Sequence, residues 1–424
     1  MEISRIEQAV LDCASLEKMA VIDSFLNFKN QAESLNLLET DYPLVIIAGT
    51  NGKGSTAHGL SYFLTQAGYK TGLFTSPHLF NFNERICVNH QPACEEELLE
   101  ILRDLKNKIK NFNFNFNYFQ ISCLLALEYF KNKSLDFGVF EIGLGGKYDP
   151  VNSLSPILSL ITSISKDHME ILGSDLTQIA AQKLGIARSD VPLFYADRNP
   201  QEIMIKNNIS QHTEVYGRDF FYPEAFEKLS SPKMAKENAA LVLRTLDYLS
   251  ARFPKLLDIN KKDILKISAP GRLVLKKLEN FEILIDVAHN EDSVRRLRKM
   301  LEEWVLEVPP ICSLVLSSGL SCLQEEGGRK LSQIRAVFTA KPNKDIRKMI
   351  EIMSDLIKDW HVTGLSDLDL NLCDIVFEHL NLHHYTSLQE AYQEALKSMK
   401  PGGLLVCFGS FTVASFVLQE LEKP

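Results

Sequence analysis

The sequence predicts an α/β protein of two domains: an N-terminal parallel-sheet domain that binds nucleotide through a P-loop, and a smaller C-terminal Rossmann-like α/β domain. Three observations carry this expectation. Short apolar runs recur with amphipathic helical stretches between them. The run at 44–48 opens into a glycine-rich turn followed by a helix. Chemistry-bearing side chains stand again and again just past the ends of such runs, where open α/β sheets bind their ligands.

Composition sets the frame. The chain has 424 residues, 45% of them hydrophobic and 24% charged, with a net charge of -8, so disordered and collagen-like classes are excluded and the length suits two domains. The longest apolar runs, 44–48 and 404–408, fall far short of the roughly 20 residues that span a bilayer. Glu2, Glu7, Asp12 and Glu17 among Ile3, Ile6, Val10 and Leu11 make the N-terminus an acidic amphipathic helix rather than a secretory signal. Eight cysteines (Cys13, Cys87, Cys94, Cys123, Cys312, Cys322, Cys373 and Cys407) form no Cys-x-x-Cys pair, which fits a reducing cytoplasm. Mild acidity argues against a sequence-independent grip on nucleic acid, which clustered Lys and Arg would supply.

Buried strands are expected at 44–48, 71–75, 137–142, 157–164, 281–285 and 404–408. Helices are expected at 55–67, 120–131 and 238–250, the first ending at Gly68. Phe112, Phe114 and Phe116 alternate with Asn over 111–118, the period of a strand or extended loop with one apolar face. Ala269-Pro270-Gly271 interrupts the pattern, so domains are expected at 1–267 and 273–424 with a hinge at 268–272.

The strongest local signal is Gly49-Thr50-Asn51-Gly52-Lys53-Gly54-Ser55-Thr56 after the first strand. Glycines let successive N–H groups turn toward phosphate oxygens, the helix N-terminus adds its dipole, and Lys53 adds a point charge. It departs from G-x-x-x-x-G-K-[ST], because Gly54 stands where the metal-binding hydroxyl normally follows the lysine. Ser76 and His78, Glu141, Asp167 and His168, Asp286, His289 and Asn290, and Ser410 each lie at or past a strand end. Singly, each has a structural alternative as a cap, a turn residue or a core histidine. Glu141, inside an apolar strand, must be exposed, paired or on a metal, and with a hydroxyl and an imidazole near phosphates it suggests Mg²⁺.

In order along the chain, Gly49 to Ser55, Thr75-Ser76-Pro77-His78-Leu79 with Phe82-Asn83-Glu84-Arg85-Ile86, Glu141-Ile142-Gly143-Leu144-Gly145-Gly146, Ile161-Thr162-Ser163-Ile164 with Asp167-His168, and Asp286-x-Ala288-His289-Asn290 resemble the signatures of folylpolyglutamate synthases and dihydrofolate synthases, enzymes similar to the Mur ligases. The resemblance spans about 44–410. It implies an ATP- and Mg²⁺-dependent ligase of folate biosynthesis and one-carbon metabolism, joining L-glutamate to dihydropteroate or to the glutamyl tail of a reduced folate through an acyl phosphate. A monomer is expected. The alternatives are a Mur-type ligase for another acid and amine, and a nucleotide-binding regulator without catalysis.

By the same resemblance, Asn51, Gly52, Lys53, Gly54 and Ser55 form the phosphate loop, and Asn238, Arg272 and Asp286 touch ATP. Ser76, Glu141 and His168 become magnesium ligands, and Lys183 resembles a lysine that is carbamylated. His289 and Ser410 join Lys53 and Lys183 as catalytic residues, on the glutamate or acyl-phosphate side. Asn117, Tyr118, Phe119 and Gln120, with Tyr148, Asp149 and Pro150, resemble the pterin-binding region. Departures from the family pattern gather at Met234, Ala235, Ala269, Gln120, Lys147, Pro150 and Val151, around the adenine and the acceptor.

Overall fold

The structure is a computed structural model that describes residues 3–15, 20–197, 212–227, 233–306, 334–364 and 379–423. Glu2, Glu17, Cys312, Cys322 and Cys373 lie outside them. The chain divides into two compact units, Met1–Ala269 and Pro270–Pro424. No described helix is long and apolar enough to cross a membrane.

In the first unit the strands are β1 (Leu44–Ala48), β2 (Thr71–Phe74), β3 (Ile86–Val88), β4 (Gln91–Pro92), β5 (Phe137–Glu141), β6 (Leu158–Ile161), β7 (Leu193–Tyr195) and β8 (Thr213–Val215). Among the described residues they form one sheet in the order β4-β3-β2-β5-β1-β6-β7-β8. From β2 to β8 neighbours run parallel, and β3 and β4 add an antiparallel edge. The runs are apolar throughout because both faces are covered. Leu44, Ile46 and Ala48 join Phe74 and Phe140 in one core, whereas Val45 and Ile47 join Leu73 and Val139 in the other.

The second unit holds β9 (Val274–Lys277), β10 (Glu282–Ile285), β11 (Ile334–Phe338), β12 (Asp359–Thr363), β13 (Asn381–Tyr385) and β14 (Leu404–Phe408). Their order among the described residues is β13-β12-β11-β14-β10-β9, parallel except for β9. Phe338 packs on Phe408 with centroids 5.0 Å apart and edge-on to Trp360 at 5.8 Å, anchoring its core.

Two local expectations change. The strand expected to run to 164 stops at Ile161, because Thr162 to Ser165 turn to bond the loop after β1, with Thr50 N donating to Ser163 O at 2.7 Å. Of the strand or extended loop expected at 111–118, the loop is formed, over a shorter span: helix Glu95–Phe112 ends with Asn113 at φ 53°, and helix Tyr118–Lys133 follows. Phe116 points into the core against Phe28, with centroids 5.7 Å apart, and the half-buried Phe114 packs beside it, while Phe112 remains 58% exposed, so the alternation serves packing at two of its three rings.

Candidate active site

Parallel register sets the carboxyl ends of β2, β5, β1 and β6 side by side, with Ile47 opposite both Glu141 and Leu160. The turn after β1 is therefore flanked by Glu141 on one side and by 162–165 on the other. Gly52 takes φ +91° as the N-cap of helix Lys53–Gln66, a conformation that costs an L-residue. A Cβ there would meet Asn238 Nδ2 at 2.0 Å, so the buried Asn238 packs directly on the turn.

Hydrogen bonds hold the turn in place. Thr50 Oγ1 donates to Ser165 O and accepts from Ser165 N, each at 3.0 Å. Ser163 Oγ donates to Asn51 O at 3.3 Å, and Asn51 Nδ2 to Ser165 Oγ at 3.5 Å. Two ammonium groups converge on one carbonyl: Lys53 Nζ lies 3.1 Å and Lys183 Nζ 2.9 Å from Gly49 O, and Lys53 also donates to Thr50 O at 3.2 Å. Burial of Lys183, with the Lys53 charge beside it, pulls its ammonium down to about 7 against the opposing pull of Asp167.

Glu141 is buried, its Oε2 accepts from Ser76 N at 3.1 Å, and a Cβ on Gly54 would lie 3.5 Å from the same oxygen. The carboxylate thus faces both the turn after β1 and Ser76. His168 follows β6 with φ +50°; its N–H donates to Asp167 Oδ1 at 2.9 Å and its Nδ1 lies 3.6 Å from Glu170 Oε1. The structure thus joins Ser76 to Glu141 and places His168 on the segment after β6. Among the described residues no three His, Cys, Asp or Glu side chains are spaced to hold a metal by themselves.

The residues expected at the acceptor are engaged in local architecture. Asn117 Oδ1 accepts from Gln120 N and Gln120 Oε1 accepts from Asn117 N, both at 2.9 Å, a reciprocal capping box that starts helix Tyr118–Lys133. Gln120 Nε2 reaches Ser24 O at 3.1 Å, and Tyr118 OH donates to Glu7 Oε1 at 3.0 Å. A Cβ on Gly143 would meet the Phe119 ring at 2.4 Å, so that ring lies on the glycine loop after β5. Asp149 clamps this loop from within, accepting from Leu144 N at 2.9 Å and Val151 N at 3.0 Å ahead of the buried Pro150. Burial pushes its carboxyl up to about 7 against those bonds. Tyr148 meets Phe25 edge-on at 6.0 Å and lies beneath Lys147 Nζ at 5.2 Å.

In the second unit Asp286, His289 and Ser410 follow β10 and β14. Asp286 is buried, accepting from Leu273 N at 3.0 Å and Ala288 N at 2.7 Å, and burial raises its carboxyl against the nearby Arg272 charge. His289 Nδ1 donates to Val287 O at 2.8 Å, which sets its tautomer. Ser410 Oγ caps helix Phe411–Glu422 through Val413 N at 3.2 Å, and Arg272 lies 5.7 Å over the Phe411 ring.

Reading the sequence missed the tether formed by Thr50, Ser163 and Ser165, because hydroxyls in loops carry no spacing signal. It also left Arg85 and His78 without roles: the buried Arg85 Nε donates to His78 Nδ1 at 2.9 Å, and His78 Nε2 lies 3.6 Å from Glu7 Oε2.

Comparison with known proteins shows what the chain as a whole is similar to. Residues 47–219 match the family model of the Mur ligase middle domain. A dihydrofolate synthase/folylpolyglutamate synthase of Bacillus subtilis is 31% identical over 290 residues, 61% of this chain and 67% of its own length. One of Buchnera aphidicola is 29% identical over 414 residues, 93% and 94% of the two chains. The crystal structure of a bifunctional folylpolyglutamate synthase/dihydrofolate synthase from Yersinia pestis, complexed with AMPPNP and Mn ion, has a TM-score of 0.82 at 23% identity, covering 99% of this chain and 98% of that one, so the fold is shared. The chain belongs to the dihydrofolate synthase/folylpolyglutamate synthase family, a family of ligases.

Proposed function

We propose that this chain is the ATP-dependent ligase that joins L-glutamate to dihydropteroate, to the glutamyl tail of a reduced folate, or to both, through an acyl phosphate. The observation that carries the reading is the turn at 49–54, with Gly52 left-handed, two lysines converging on Gly49 O and the Glu141 carboxylate facing Gly54.

A carboxylate has no leaving group, and transfer of the γ-phosphoryl of ATP supplies one. The N–H groups of Asn51 to Gly54 and the N-terminus of helix Lys53–Gln66 hold the phosphates, while Ser55 stands in the first turn. Lys53 leaves the turn's carbonyls and neutralises the transferring group. The donor set suits a hard cation, since Ser76 offers a hydroxyl and Glu141 a carboxylate, with His168 as the unusual nitrogen partner. When bound, Mg²⁺ supplies charge neutralisation and orientation of the phosphates.

Lys183, buried and held near neutrality, has the amine character that carbamylation by CO₂ requires, and the modification would turn a second cation beside Gly49 into an anion. Asn238, packed on the turn, contacts the nucleotide, and Arg272 and Asp286 are carried over from the family pattern as nucleotide residues. His289 and Ser410 serve the glutamate side. Asn117, Gln120 and Asp149 have architectural roles in fixing backbone, with Pro150 buried behind the loop, which leaves Tyr118, Phe119 and Tyr148 to present the acceptor surface. The free state of the described cysteines, Cys13, Cys87, Cys94, Cys123 and Cys407, is in keeping with work in the cytoplasm.

The test is incubation with ATP, Mg²⁺, L-glutamate and either dihydropteroate or a reduced folate, with product masses as the readout. Release of ADP and phosphate that requires both glutamate and an acceptor, with one glutamyl unit gained, is the expected result. Turnover with a nucleotide-linked peptide and with neither pteroate nor folate would replace the assignment with another acid.

A further inference from the structure

A cavity of about 250 Å³ on the flank of helix Lys53–Gln66 is lined by His58, Tyr62, His90, Lys266, Ile267 and Ser268. Three pieces of the first unit build it. His58 and Tyr62 stand four residues apart on one helix face. His90, at φ +63°, occupies the turn between β3 and β4. Residues 266–268 supply the remaining wall, immediately before the last residue of the unit. That turn is anchored at the amino end of β2, where Asn89 N donates to Thr71 O and Thr71 N to Asn89 Oδ1, both at 2.9 Å. The phosphate turn follows the carboxyl end of β1, parallel to β2 through β5, so the two places lie toward opposite ends of the sheet.

The wall is chemically one-sided. His58 and His90 have ring centroids 6.2 Å apart, and Tyr62 lies 6.1 Å from His90. Nε2 of His90 is buried with no hydrogen-bond partner among the described residues, although leaving such an atom unsatisfied is costly. Each polar side chain lining the cavity is a donor or becomes one on protonation, and none is acidic. The charged and titratable groups facing the imidazoles are each other, Tyr62 and Lys266, the last paired at the rim with Asp263 at 3.8 Å. The volume falls below the roughly 300–1,000 Å³ of pockets for drug-sized ligands, which points to a small occupant.

We propose that His58, Tyr62, His90 and Lys266 form a second anion site, separate from the phosphate turn, that takes a small tetrahedral oxyanion of the phosphate class. Burial holds both rings neutral in the empty site, His58 down to about 4, with the neighbouring His90 adding to the effect. A bound anion supplies the missing counter-charge, and a ring that takes up a proton gains an Nε2–H with which to reach it. Affinity therefore strengthens as pH falls, by up to about tenfold per pH unit for one proton taken up.

The probe is inorganic phosphate added to the full chain, followed through the histidine ring resonances of the wild type and of Lys53→Ala, Lys266→Ala and His90→Gln. In the wild type and in Lys53→Ala the His58 and His90 signals should titrate, more tightly at pH 6 than at pH 8. Lys266→Ala, at an exposed rim position, should weaken the response several-fold without disturbing the fold, and His90→Gln should abolish it. The proposal is overturned if the rings ignore phosphate, if affinity is independent of pH, or if Lys53→Ala abolishes a response that His90→Gln leaves intact. Perturbation by Zn²⁺ and not by phosphate would equally overturn it, making the pair a metal site.

Discussion

At the residue scale the account rests on a few atoms around Gly49 and Gly52. Gly52→Ala forces a left-handed L-residue, at about 1–2 kcal/mol, and drives a methyl into Asn238, so thermal unfolding should fall and nucleotide binding weaken together. Lys53→Ala should cut kcat by about 10²-fold or more, since the ammonium acts on charge that develops at the transferring group, and steady-state ADP release measures it. Asp149 gives a pH test. Its folded carboxyl is raised to about 7 from an ordinary 3.8, so the stability it contributes is fully present below the unfolded value and is lost as pH rises through the folded one. The unfolding free energy of the wild type minus that of Asp149→Asn should decline between about pH 4 and 7, and a difference flat across that window would contradict the burial argument. The glycine-rich turn between β1 and the helix that begins at Lys53 was legible in the sequence because glycine spacing and strand-to-helix context encode it. The convergence of Lys183 on Gly49 O was not, since 134 residues separate the partners.

Elements set these residues in place. Parallel pairing of β1 with β5 and β6 makes three successive loops into one surface, and Thr50 stitches two of them together. Thr50→Val removes both bonds to Ser165, and the expected result is a loss of about 1–3 kcal/mol in stability, with reduced kcat/KM for ATP. The cap at Asn117 separates an architectural role from direct contact. Asn117→Ala should lower stability by about 1 kcal/mol while KM for the acceptor stays near that of the wild type, which steady-state kinetics will decide. Apolar runs announced six strands, β1, β2, β5, β6, β10 and β14, of the fourteen among the described residues, and the run at 157–164 outlasted its strand because tethering to the turn after β1 outweighed β-propensity there. Of the strand or extended loop that the Phe and Asn alternation at 111–118 allowed, the loop formed: helix capping at both ends left only a short link, with Phe116 in the core and Phe114 packed against it.

For the whole molecule, two units with separate cores follow from a chain too long for one. The first unit keeps both faces of its sheet covered by its own residues, so the fragment 1–269 should unfold cooperatively and still bind a non-hydrolysable ATP analogue, without ligase turnover. The alternation of strand and helix foretold the fold class, whereas β3, β4, β7, β8, β9, β11, β12 and β13 were not foreseen, the antiparallel edges β3, β4 and β9 among them being too short or too polar to announce themselves. The central claim is that triphosphate lies on the turn beginning at Gly49 with a divalent cation beside Ser76 and Glu141. A crystal structure with AMPPNP and Mg²⁺ measures it directly. The account predicts β- and γ-phosphates on the amides of Asn51 to Gly54 and metal density within bonding distance of Glu141; an analogue seated elsewhere, or a metal that leaves Glu141 untouched, would contradict it.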